Sequence, residues 1–174
     1  MRCVNFSVYF HNKIPEIVKD VVIKTAENTF TGVNFKAFEY IPFNIQFAYD
    51  SYRGQFNGVK ILEKAIEDGY RFFLIVIPYD LFVPHLNFVF GVAEPYYGAI
   101  ISTWRLQLTD STKIFLERIQ KTVKHELGHV FGLPHCKNEC VMRFANSLFE
   151  LDLKYSNFCE RCKKMLVRLG VIKS

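Results

Sequence analysis

Three histidines, a glutamate and two cysteines fall within sixteen consecutive positions, HELGHVFGLPHCKNEC, residues 125–140. His125 and His129 stand four apart in a segment of helical periodicity, so their imidazoles leave one helix face about a turn apart. Two ligands on one rigid helix are the start of a tetrahedral zinc site. Glu126, next to the first histidine, is placed to reach a water there rather than the metal. Gly132 comes three residues after His129, and glycine adopts the left-handed conformation that ends a helix and turns the chain sharply. Pro134 keeps the helix from resuming, and the returning chain delivers His135 as a third ligand. Three protein ligands leave one coordination position open to water, which marks a catalytic rather than a structural zinc. The competing reading, core histidines beside a surface glutamate, leaves these spacings unexplained.

The cysteines suggest a second site. There are five, Cys3, Cys136, Cys140, Cys159 and Cys162, and an odd number without a secretion signal argues against a disulfide framework. Cys136 with Cys140, and Cys159 with Cys162, form two short chelating pairs, C-x3-C and C-x2-C, separated by eighteen residues. Four thiolates close a coordination shell and exclude water, favouring a structural zinc. Two disulfides, or a redox-active Cys159/Cys162 pair, are the alternatives; the redox pair does not account for Cys136 and Cys140. Cys3 reads as a small buried hydrophobe.

These groups need a scaffold. A chain of 174 residues suits a single domain with a real core. Half of it is hydrophobic and 16% aromatic, which excludes a disordered chain. The longest apolar run, Phe72 to Ile77, is six residues, too short to cross a bilayer. The N-terminal stretch MRCVNFSVYFHNK alternates polar and apolar residues and lacks the continuous apolar run of a signal peptide, so a cytoplasmic protein is expected. The net charge is +5, and basic residues gather towards the C-terminus, at Lys154, Arg161, Lys163, Lys164, Arg168 and Lys173. Without a base-reading motif this reads as a solvated basic helix rather than a nucleic-acid footprint.

Val4, Phe6, Val8 and Phe10 alternate with Asn5, Ser7 and Tyr9, predicting a half-buried strand. A helix follows between Pro15 and Gly32, the glycine serving as its stop, and a strand over 33–41. A second helix spans Asn57 to Gly69 with Asn57 as cap. Arg71 to Ile77 reads as a central strand covered on both faces. Two strands, 86–93 and 97–104, are joined at Glu94-Pro95. A long helix runs from Asp110 to about Phe131, and a short one from about Cys159 to Leu169. This order predicts an α/β (α+β) fold, a mixed and mostly parallel sheet with flanking helices. Residues 1–132 would form a sheet-bearing subdomain ending in the histidine helix. Residues 133–174 would form a small cap too poor in apolar elements to hold together without a metal. The strands from about Leu86 to Trp104 are expected to bind an extended peptide along a sheet edge. Tyr96, Tyr97 and His85 read as surface or packing residues rather than cleft lining.

HELGHVFGLPH matches the HExxHxxGxxH motif of the metzincin zinc peptidases. Continued through Cys136, Cys140-Val-Met142 and Cys159-Glu-Arg-Cys162, the chain resembles the archaemetzincins over residues 125–162. Two gaps are one residue shorter than the usual family pattern, Cys136 to Cys140 and Met142 to Cys159. The resemblance implies a metzincin-like fold and a catalytic zinc on His125, His129 and His135, with Glu126 as general base. Met142 would be the Met-turn residue, an apolar floor that does not ligate. Some metzincins bring a tyrosine two residues beyond this methionine towards the metal; Phe144 stands there and has no hydroxyl to offer. The function expected is hydrolysis of peptide or protein substrates by a zinc-activated water, with two zinc ions per chain. A monomer is the default expectation. The alternative is a zinc-containing binding module with little or no turnover, which would have no need of Glu126.

Overall fold

The alternation at the start of the chain builds β1 (Val4–Phe10), whose Phe6, Val8 and Phe10 all point into one core cluster. The computed structural model describes residues 3–174; Met1 and Arg2, the first two of the alternating stretch, lie outside them. The opposite face is not simply polar. Tyr9 is buried there, stacked on Phe38 with ring centroids 5.1 Å apart, because a helix covers that face too.

Pro15 precedes α1 (Glu16–Thr29), and the chain returns as β2 (Val33–Phe38). The short strands β3 (Tyr49–Asp50) and β4 (Gln55–Asn57) lead into α2 (Gly58–Glu67), where the Asn57 side chain accepts from the Lys60 N–H. The apolar run becomes β5 (Phe73–Ile77), buried along its whole length. Then come β6 (Leu81–Phe82), β7 (Gly91–Glu94) and β8 (Gly98–Ser102). Ser111 caps α3 (Thr112–Val130) by accepting from the Ile114 N–H, and α4 (Leu148–Leu153) and α5 (Glu160–Arg168) follow.

The main sheet has the order β2-β1-β5-β8-β7, parallel except for β7, which runs antiparallel on the edge. Successive β5 side chains serve opposite faces: Leu74 and Val76 meet α1 and α3, while Phe73, Ile75 and Ile77 meet α2. A second sheet, β3-β4-β6, flanks the first. The mixed, mostly parallel sheet with flanking helices is the fold expected.

Three expectations change. The strand predicted over 86–93 begins only at Gly91, because the carbonyls of Leu86 and Asn87 accept from Arg53, and that of Asn87 also from Gln55. Gly32 does not stop α1, which ends at Thr29 with Phe30 as its C-cap. A side chain at Gly32 would instead strike the Gly170 carbonyl, so the glycine permits close approach of two backbones. Cys3 is exposed rather than buried, since β1 begins beyond it at Val4. In the C-terminal stretch, Val141, Met142, Leu151, Leu166 and Val171 join the same apolar cluster as α1 and α3.

Candidate functional site

Helix α3 carries the site because its two faces differ. Ile119, Val123, Leu127 and Val130 are fully buried against the sheet, and Leu116 is partly buried. His125, Glu126 and His129 face a cleft of about 480 Å³. Beyond the helix Gly132 takes a φ of 96° and turns the chain, as its position predicts, and His135 comes back to the other two histidines. One ring nitrogen from each of the three lies within 4.8 Å of those of the others.

The backbone fixes which nitrogens these are. His125 Nδ1 donates to the Val141 carbonyl at 2.8 Å and His129 Nδ1 to the Leu133 carbonyl at 2.7 Å. Each Nε2 is then a bare acceptor. Burial holds the His125 imidazole well below its ordinary pKa and that of His129 down at about 4, so both are neutral at pH 7. Burial, then the Lys154 ammonium, lowers that of His135 as well. The two Nε2 atoms nevertheless face each other at 3.1 Å. With both Nδ1 protons engaged this is no hydrogen bond; it is two lone pairs directed at one point. A cation between them resolves the repulsion, and two imidazoles on one tetrahedral zinc stand about 3.3 Å apart. The donor set therefore fits the ion.

Glu126 aims its carboxyl into the same cleft, where burial pushes its pKa up to about 8, partly offset by Lys154. The Lys154 ammonium lies 3.2 Å from the Arg143 carbonyl and 3.3 Å from His125 Nδ1, its own pKa lowered to about 8 by burial. Met142 is buried, and its sulfur presses on Gly128, between His125 and His129 on α3, where any side chain would collide. Phe144 stacks edge-on against His135, with ring centroids 5.2 Å apart.

Cys136, Cys140, Cys159 and Cys162 bring their four sulfurs within 4.8 Å of one another, and none is in a disulfide. The one-residue shortenings of the two loops do not separate them. Cys136 and Cys159 Sγ are 3.8 Å apart, the spacing of about 3.8 Å that two thiolates take on one tetrahedral zinc. Backbone N–H groups of Met142 and Cys159 both point at Cys140 Sγ, at 3.4 and 3.3 Å. Arg161 donates to Cys136 Sγ at 3.4 Å. Such donors suit thiolates, and the set fits a closed, structural zinc.

The sequence does not single out Lys154 or Gly91 as site residues, and both depend on the tertiary fold. A side chain on Gly91 would come within 2.8 Å of Glu126 Cγ and 2.9 Å of the Ile100 carbonyl. Gly128 could have been found, as a glycine inside a helical metal motif. Tyr96, Tyr97 and His85 stay outside the cleft lining; Tyr96 packs on Gly132 instead. The edge expected to receive substrate does line the cleft, through Gly91, Val92 and Ala93 of β7. Among the described residues, no helix is long and apolar enough to cross a membrane.

The model of Peptidase family M54 matches residues 13–168. The archaemetzincin of Nanoarchaeum equitans is 40% identical over 171 residues, covering 96% of this chain and 88% of that protein. The crystal structure of archaemetzincin from Methanopyrus kandleri is 34% identical and superposes with a TM-score of 0.79, covering 95% of this chain and 94% of that one. That from Archaeoglobus fulgidus, solved in complex with malonate, is 30% identical with a TM-score of 0.81, covering 92% and 99%.

Proposed function

The chain belongs to peptidase family M54 and is a zinc metallopeptidase, and from that premise we propose how it works. His125, His129 and His135 hold a catalytic zinc, Glu126 is the general base, and the four cysteines hold a second, structural zinc. The observation that carries this reading is the pair of bare Nε2 atoms facing each other at 3.1 Å beside a buried carboxyl. A zinc ion held there would supply Lewis acidity, making water a nucleophile near neutral pH and polarising the scissile carbonyl.

The chain's own residues do the rest. Glu126 accepts the proton of the attacking water and returns it to the leaving amine. The dry surroundings that raise its pKa to about 8 favour the first of these transfers, uptake of the proton from the water. Strand β7, unpaired on its outer side, offers backbone donors and acceptors to an extended peptide laid beside the zinc site. Met142 and Phe144 pack the floor and rim and exchange no protons.

Replacing Glu126 by Gln keeps the side-chain shape and removes the base. Peptide hydrolysis should fall by about 10²- to 10⁴-fold, while metal analysis still finds two zinc ions per chain. Undiminished hydrolysis would sink the assignment of Glu126. A wild-type protein that binds zinc and peptides without cleaving any would favour a binding module instead.

A further inference from the structure

The cleft is walled mainly by apolar groups, among them Leu86, Phe88, Val89, Phe90 and Leu151. Its lining includes one lysine and no arginine. That lysine, Lys154, has its ammonium largely withdrawn from water and three protons to place, yet the structure gives it one carbonyl acceptor, on Arg143 at 3.2 Å. His125 Nδ1, at 3.3 Å, cannot accept, because its proton-bearing nitrogen is committed to the Val141 carbonyl. The backbone that carries it is also fixed in place. Its residue closes α4, its backbone N–H bonding back to Glu150 and Leu151. Arg118, Lys121 and Lys124 of α3 hold the surrounding segment through the Asp152 carboxylate and the carbonyls of Leu151, Asp152 and Ser156.

An underused cation on a firmly held segment, in an apolar cleft beside the reacting groups, is a receptor for an anion. Resting on the reading of this cleft as the peptidase site, we infer that Lys154 is a specificity-determining residue that binds a substrate carboxylate next to the scissile bond. The preferred substrates are then peptides with an acidic side chain there, or peptides cut close to a free C-terminus. Both sources present the same group to Lys154, and Glu126 is the only acidic residue of the lining that opposes it.

The test uses zinc-loaded protein and matched synthetic peptides. One pair differs only in a free C-terminal acid or its amide, and a second pair in an internal Asp or Asn. The wild type should favour the acid in at least one pair by about tenfold in kcat/KM, the worth of one charge-assisted hydrogen bond. The pair that shows it identifies the source. Lys154→Met should reduce that ratio towards one whatever happens to the absolute rate, and Lys154→Glu should invert it. Affinities of the same peptides for the Glu126→Gln protein, measured by calorimetry, give the ratio without turnover. An acid preference that survives in Lys154→Met overturns the inference. So does equal binding of acid and neutral peptides to Glu126→Gln, or no measurable binding of either. If the wild type cleaves nothing but still binds acids through Lys154, the hydrolytic reading fails and this one stands.

Discussion

Glu126 and Gly91 share the same few ångströms of the cleft, one filling the space the other leaves. A methyl group on Gly91 would sit 2.8 Å from Glu126 Cγ with the Ile100 carbonyl closing its other side, so the carboxyl would be the group to move. Gly91→Ala should lower kcat by about 10- to 100-fold, because a displacement near 1 Å at the reacting centre has that effect. Zinc content should not change. A variant with unaltered kcat would show that the base tolerates displacement. The seven metal-binding candidates can be picked from spacing alone, since six lie in pairs on one helix turn or one tight loop and His135 follows the turn at Gly132. Gly91, Lys154 and the carbonyls that orient His125 and His129 cannot. They come from β7, from α4 and from residues 133 and 141, and only folding brings them to the helix.

Helix α3 connects everything that matters, its apolar stripe on the sheet and its polar face divided between the metal site and the α4 segment. The loop after it runs from His135 straight into Cys136, so neighbouring residues belong to different sulfur and nitrogen clusters. Cys136 also donates its backbone N–H to the Met142 carbonyl at 3.0 Å, tying that loop to the floor of the histidine site. Opening the cysteine cluster should therefore loosen the histidine cluster. In Cys140→Ser, chelator competition should show the catalytic zinc bound about 10- to 100-fold more weakly, as when a supporting group is lost. Unaltered affinity would mean the clusters are neighbours and nothing more. The long helices and the central strand follow from periodicity and caps. Strands β3, β4 and β6, of two or three residues each, are too short to carry a period and form because Phe56 and Leu81 meet across a ladder.

The whole chain folds around two apolar clusters on either side of one sheet, and the cleft opens at the edge of the larger. Holding a carboxyl in that dry setting costs stability when no metal balances it. Burial raises the Glu126 pKa from 4.5 to about 8. A raised pKa means the folded state binds the proton more tightly than the unfolded one, so this group's contribution to stability is fullest below about pH 4.5 and is lost as pH rises towards 8. Protein whose histidine site has been emptied by a mild chelator should show this decline, and Glu126→Gln should not. By pH 8 the variant should be more stable by on the order of 2 kcal/mol, read from urea melts. Parallel pH profiles for the two proteins would mean the carboxyl is better solvated than its setting suggests.

The backbone contact between Gly32 and Gly170 reaches further than packing. Gly32 donates to the Val171 carbonyl at 2.9 Å, and Lys173 donates to Thr31 Oγ1 across a separation of 142 residues. The turn between α1 and β2 thus finds its partner only at the far end of the described residues. Val171 shares an apolar cluster with Val18, Val22 and Ala26, so the same segment covers part of the apolar side of α1. Cutting the chain before Gly170 should therefore loosen α1 itself, read as faster hydrogen exchange of its backbone amides.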